Sequence, residues 1–149
     1  MGKKRIIQQT EEELLKEREK VDSAVKKEVK TSSQKVREGK VYISSSYNNT
    51  IITLTDLKGD VLAWKSAGNI GFKGNKKSTP FAASKVAEAI SQIIKKIGIE
   101  KISILVKGIG SGRESAIRSL IARDFEIVSV TDITPVPHNG CKSPKVRRV

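Results

Sequence analysis

His138 and Cys141 are the residues whose types suit nucleophilic or metal chemistry, and they stand close together in the closing stretch HNGCKSPKVRRV. The chain has one histidine and one cysteine, so a metal shell would need carboxylates to complete it. A Cys-His catalytic pair would have to be held rigidly in a pocket. Neither requirement is met. The stretch contains no Asp or Glu, and Pro135, Pro137 and Pro144 favour an extended chain that neither folds back as helix nor joins a central strand. The acids elsewhere serve a metal-dependent nuclease no better, since that chemistry needs several carboxylates converging on Mg²⁺. Asp56 and Asp60 flank a turn, Asp132 ends a late strand, and the first strand has no acid. We therefore expect no catalytic residue, no metal and no cofactor.

What the stretch does carry is charge. Lys142, Lys145, Arg147 and Arg148 are held out in a line, with His138 and Asn139 suited to stacking on RNA or hydrogen bonding to it. Asn139-Gly140 is also a chemical hazard, because glycine leaves the following backbone nitrogen free to attack the asparagine amide. A second candidate anion site is KGIGSGRESAIRSL, residues 107–120, which reads as a strand, a glycine-rich turn and a helix N-terminus. Exposed amides in this turn, the positive end of the helix dipole, Gly108, Gly110 and Gly112 permitting close backbone approach, and Arg113 and Arg118 nearby together favour phosphate contact, with Ser111 in the same turn. Nucleotide enzymology is excluded by spacing: neither GIGSGRES nor GFKGNKKST is a GxxxxGK[ST] loop, and Gly108-x-Gly110 does not continue as GxGxxG. Lys73, Lys76 and Lys77 form a third basic group, beside Phe72.

The whole chain carries the same signature. Its 149 residues hold 29 Lys and Arg against 16 Asp and Glu, a net charge of +13 and a pI near 10.0. Residues 1–40 contribute 12 cations and 8 anions, so most of the excess falls in the part with folding signals. This is the footprint of a polyanion binder, with nucleic acid the expected polyanion. Hydrophobic content of 37% suits one modest core. No apolar run approaches the ~18 residues of a membrane span, and MGKKRIIQQTEEE lacks a secretory core, so a soluble protein of a reducing compartment is expected.

The elements that must position these groups are legible from periodicity. Residues 1–40 read as a flexible charged extension or a short partner-binding helix, with Leu14, Val21 and Val25 as its apolar stripe. A domain then runs over 41–134. VYISSSY and TIITLTD alternate as strands around a tight Asn48-Asn49 turn with positive φ, and VLAWKS follows a turn at Lys58-Gly59. SAGNIGFKGNKKSTP reads as a basic flexible loop. Thr79 as N-cap, Pro80 at the first position and Gly98 as C-terminal cap bound a helix. Its inner face is Ala83, Val86, Ala87, Ile90, Ile93, Ile94 and Ile97. ISILV reads as a strand covered on both faces. Ser111 and Glu114 have capping-box spacing for a second helix that ends near Asp124, with Ala116, Ile117, Leu120 and Ile121 inward. FEIVSVTDI is the last strand, and residues 135–149 form the basic tail. The order βββαβαβ predicts an α/β mixed sheet with two crossover helices.

Four motifs in sequence, SYNNTIITLTD, GFKGNKKSTPFAA, VKGIGSGRESAIRSL and DITPVPHNGCKSPKVRRV, resemble the universal family of small-subunit ribosomal proteins numbered eleven. The resemblance covers Val36 to Val149 and is to the bacterial or organellar branch, with residues 1–30 as an added extension. It implies a ribonuclease-H-like mixed sheet and a structural role in the 30S platform, bound to 16S-type rRNA near the mRNA exit that holds the Shine-Dalgarno helix. The implied neighbours are the small-subunit proteins numbered six, eighteen, seven and twenty-one, in a cytoplasmic or organellar ribosome. RNA contacts carried over are Tyr47, Asn48 and Asn49, then Lys73 to Ser78, Gly110 to Arg113, and His138 to Arg148. The competing readings are a free RNA chaperone or regulator and a ribonuclease-H-type nuclease.

Overall fold

The computed structural model describes residues 15, 16, 19–21, 23 and 37–145. Among the described residues five strands form one sheet: β1 (Glu38–Ser45), β2 (Thr50–Thr55), β3 (Val61–Ser66), β4 (Lys101–Lys107) and β5 (Glu126–Asp132), in the order β3-β2-β1-β4-β5. The first three are an antiparallel meander, and β4 and β5 are parallel to β1. Between them lie a short helix α1 (Ala67–Ile70), a 3-10 turn (Gly74–Ser78), α2 (Pro80–Ile97) and α3 (Gly112–Ile121). The α/β class and the mixed sheet are as expected from the sequence.

Helix α2 starts and stops where its residues dictate. Thr79 Oγ1 accepts the Ala82 amide at 3.2 Å, Pro80 occupies the first position, and Gly98 ends the helix with φ +85° and its N–H on Ile94 O. Such an N-cap is worth about 1 kcal/mol. The inward stripe is buried as read, with Ile97 half-buried at the end of the helix. It packs on β2 and β3 and against α3, which in turn touches β1.

Both crossovers, β3 to β4 and β4 to β5, move across the sheet in the same direction. Right-handed connections of that kind place both helices on one face. The expectation that β4 is covered on both faces is therefore wrong. Ile102, Ile104 and Val106 are buried under the helices, whereas Ser103 and Leu105 point to an open face and are only half-buried. Leu105 lies in a row, Trp64, Thr53, Tyr42, Leu105 and Thr131, that crosses all five strands there.

Further details differ from the sequence reading. Strand β1 begins at Glu38 and ends at Ser45, so the hairpin loop is Ser46–Asn49, closed by Ser46 N–H on Asn49 O at 2.9 Å and Asn49 N–H on Ser46 Oγ at 3.1 Å. This longer loop needs no positive φ at Asn48 or Asn49, and neither has one. Residues 67–78 are not an irregular loop, because Ser66 caps α1, Ala67 and Ile70 bury themselves, and Gly71 ends the helix with φ +114°. Helix α3 stops at Ile121, which is exposed, because among the described elements only α2 and the sheet cover this helix.

In the N-terminal segment, Leu15, Lys16, Glu19 to Val21 and Ser23 are helical, and Val21 is buried against the core beside Gly71. Leu14 and Val25 lie outside the described residues.

Candidate nucleic-acid interface

The candidate residues fall in four segments that leave the C-terminal ends of β1, β3, β4 and β5. Only β2 runs against these four strands, so all four segments emerge at one end of the sheet. The turn Asp56–Asp60, which follows β2, and the connections into β4 and β5 occupy the opposite end. Ligand sites of open α/β sheets lie at the carboxyl ends of strands for the same geometric reason.

Direct bonds tie the segments together. The glycine turn lies on the hairpin: Gly110 N–H donates to Ser45 O at 3.1 Å, and a side chain at Gly108 or Gly110 would collide with the carbonyls of Ser45 or Ser46. The close approach that these glycines permit is thus to the chain's own hairpin. Ser45 Oγ, Asn49 Oδ1 and Thr50 Oγ1 are buried in this region without a hydrogen-bond partner. The turn also holds the basic loop, since Ser111 Oγ donates to Ser78 O at 2.6 Å. That bond replaces the capping box expected of Ser111, whose backbone is already helical and whose side chain caps nothing.

The root of the tail is fixed to the same place. Gly108 N–H donates to Thr134 Oγ1 at 3.1 Å, and Ile133 N–H to Val106 O at 2.8 Å. Asp132 accepts from Thr134 N–H at 2.9 Å and Thr134 Oγ1 at 2.6 Å, and from Arg113 at 2.7 Å. The Thr134 hydroxyl, the Arg113 guanidinium and the Thr134 amide hold the Asp132 carboxyl well below the usual carboxylate range. Arg113 also donates to Gly108 O at 2.8 Å, so its guanidinium clamps turn to tail. This knot was missed from sequence, although an Asp two residues before a Thr is a recognisable local turn signal.

Beyond the knot the side chains face solvent. Tyr47 is 74% exposed, and Asn48, Lys73, Lys76 and Ser111 are exposed; Asn49, Lys77 and Ser78 are half-buried, and Gly110 and Gly112 are buried. Arg118 is exposed and pairs with Glu114 at 3.1 Å; a surface pair of this kind is worth at most about 1 kcal/mol. His138, Asn139, Cys141, Lys142 and Lys145 are all exposed, and Asn139 has φ +51°. Arg147 and Arg148 lie outside the described residues.

Asp56 and Asp132 stand at opposite ends of the sheet, too far apart to share a metal ion. Asp56 is spent on its turn, accepting from the amides of Gly59 and Asp60 at 2.9 and 3.0 Å. Among the described residues no group of three or more His, Cys, Asp and Glu could hold a metal. A depression of about 330 Å³ lined by Lys95, Glu100, Asp124 and Phe125 lies at the end remote from the candidate residues. No described helix is long and apolar enough to cross a membrane.

Residues 39–148, from β1 through the sheet and both long helices into the tail, match the family model described as Ribosomal protein S11. The chain belongs to this family, and it is accordingly a structural, non-catalytic protein of the small ribosomal subunit that binds rRNA.

Proposed function

We propose that the end of the sheet built from the hairpin, the basic loop, the glycine turn and the tail is the face that meets rRNA. The observation that carries this reading is the convergence of four separately placed segments at one end, with cations on three of them. The two carboxylates there, Glu114 and Asp132, are each already paired with an arginine. Lysines, exposed polar groups and the tail cations neutralise phosphates where rRNA helices approach one another, and the proline-rich tail threads between them. In this reading Tyr47 to Asn49, Lys73, Lys76, Lys77, Ser78, Ser111 and Arg118 line the contact, while the buried Gly110 and Gly112 seat the turn on the hairpin and on α2. Arg113 serves by holding the tail root, with its remaining donors toward phosphate.

The finer placement follows from the resemblance: the platform, near the mRNA exit and the Shine-Dalgarno helix, beside the proteins numbered six, eighteen, seven and twenty-one, in a cytoplasmic ribosome. Two experiments test the reading. Sedimentation of a lysate at near-physiological magnesium and salt should place the protein stoichiometrically in 30S and 70S peaks. Confinement to light fractions would favour the free regulator. Affinity of the purified protein for small-subunit rRNA should fall steeply with salt, by about 0.7–0.9 log unit per neutralised phosphate per log unit of salt. A flat response would refute charge neutralisation.

A further inference from the structure

Phe81 is 59% exposed, although it sits on the first turn of α2, where Thr79 and Pro80 fix the backbone. Phe72 braces it: the ring centroids are 6.0 Å apart and the planes meet at 84°, while Phe72 itself packs against the core. In a T-shaped pair Phe72 covers at most one face of the Phe81 ring, and the side chain as a whole is more exposed than buried. The surroundings are cationic without exception in sequence, since the segment between Asp60 and Glu88 holds five lysines and no carboxylate. Lys73 directly follows Phe72, and the stem of Lys77 lies over Gly68 of α1. The Ser78–Ser111 bond ties this loop to the glycine turn.

We propose that Phe81 is a stacking platform for one unpaired RNA base, with the lysines of the adjoining loop taking the flanking phosphates. The inference rests on the rRNA-binding reading of this end of the sheet and adds a base-contacting residue to it. An aromatic face is sequence-tolerant and insensitive to ionic strength, whereas the phosphate contacts around it are not. A rigid, braced ring on a helix start loses little freedom when a base settles on it. An apolar protein partner would gain nothing from the lysines, and an acidic one would leave the ring unused.

The test is binding of full-length wild type, Phe81→Ala and Phe81→Trp to protein-free small-subunit rRNA across a salt series. Base-on-aromatic stacking predicts that Phe81→Ala weakens binding by roughly five- to hundredfold at every salt concentration, with the salt slope unchanged. Phe81→Trp should retain wild-type affinity and, in a Trp64→Phe background, its indole emission should be quenched on binding. Wild-type affinity for Phe81→Ala, or unquenched indole emission from the bound Phe81→Trp protein, would overturn the proposal. A steep salt slope with an indifferent Phe81 sinks the stacking alone, and a flat slope sinks the electrostatic reading beneath it. Unfolding midpoints of the three proteins separate a lost contact from a lost fold.

Discussion

Replacing Gly110 with alanine tests whether the glycine turn and the hairpin are one packed unit. An added Cβ would lie 2.3 Å from Ser46 O and 2.4 Å from Ser45 Oγ, closer than non-bonded atoms approach. Gly110 does not have a left-handed backbone, so the strain comes from crowding alone. Relief requires the turn to lift off the hairpin by about an ångström, which overpacking data value at about 1–3 kcal/mol. The lift also stretches the Gly110 N–H bond to Ser45 O, which adds about 1 kcal/mol. The expected total is about 2–4 kcal/mol, or a fall in Tm of roughly 8–16 °C for a domain of this size. Gly68→Ala is the control, because its Cβ would meet only Lys77 Cδ at 3.7 Å and Ser66 Oγ at 3.9 Å, and alanine favours helix by roughly 0.5–1 kcal/mol. Thermal and denaturant unfolding of both variants gives the comparison. A Gly110→Ala protein that melts with wild type would refute the close-packed junction, and with it the shared platform for the candidate residues.

Other outcomes follow from the same contacts. Asp132 has a lowered folded-state pKa, so its stabilisation is complete above the unfolded value of about 3.9 and disappears as pH falls toward the folded one; the stability difference between wild type and Asp132→Asn should therefore shrink only below about pH 4, and a difference constant through that range would refute the assignment. Thr50 is fully buried with an unpartnered hydroxyl, so Thr50→Val should be neutral or stabilising by up to about 1 kcal/mol in denaturant unfolding; clear destabilisation would show a hidden hydrogen bond. Removing Gly140 to Val149 deletes Lys142, Lys145, Arg147 and Arg148, and should lower the salt slope of rRNA binding by up to about 3–4 if each cation meets a phosphate; an unchanged slope would detach the tail from the RNA. The exposed Asn139-Gly140 pair in the free protein should accumulate isoaspartate on prolonged incubation, read by peptide mapping, and an unaltered peptide would show that the tail is held against the attack.

Much of the local structure was written in neighbouring residues. Thr79, Pro80 and Gly98 bound α2 because capping acts over three or four positions, and the 3.6-residue spacing of its isoleucines and alanines marked the buried face. Alternation marked β1, β2 and β3, and Asp56 with Gly59 marked the turn between the last two. The excess of cations and the four family motifs were equally plain, because charge and motif spacing need no fold to be counted.

What neighbouring residues do not encode is which distant segments meet. That Ser111 bonds Ser78 rather than capping its own helix, and that Arg113 clamps Asp132, depends on chain path over separations of 33 and 19 positions. The half-open face of β4 was illegible for the same reason, since an apolar run records hydrophobicity and not how many layers cover it. Elements, polyanion preference and family could all be read along the chain. That four candidate segments share one end of the sheet emerged with the fold alone, because strand direction is set by long-range pairing and parallel strands deliver their outgoing loops to the same side.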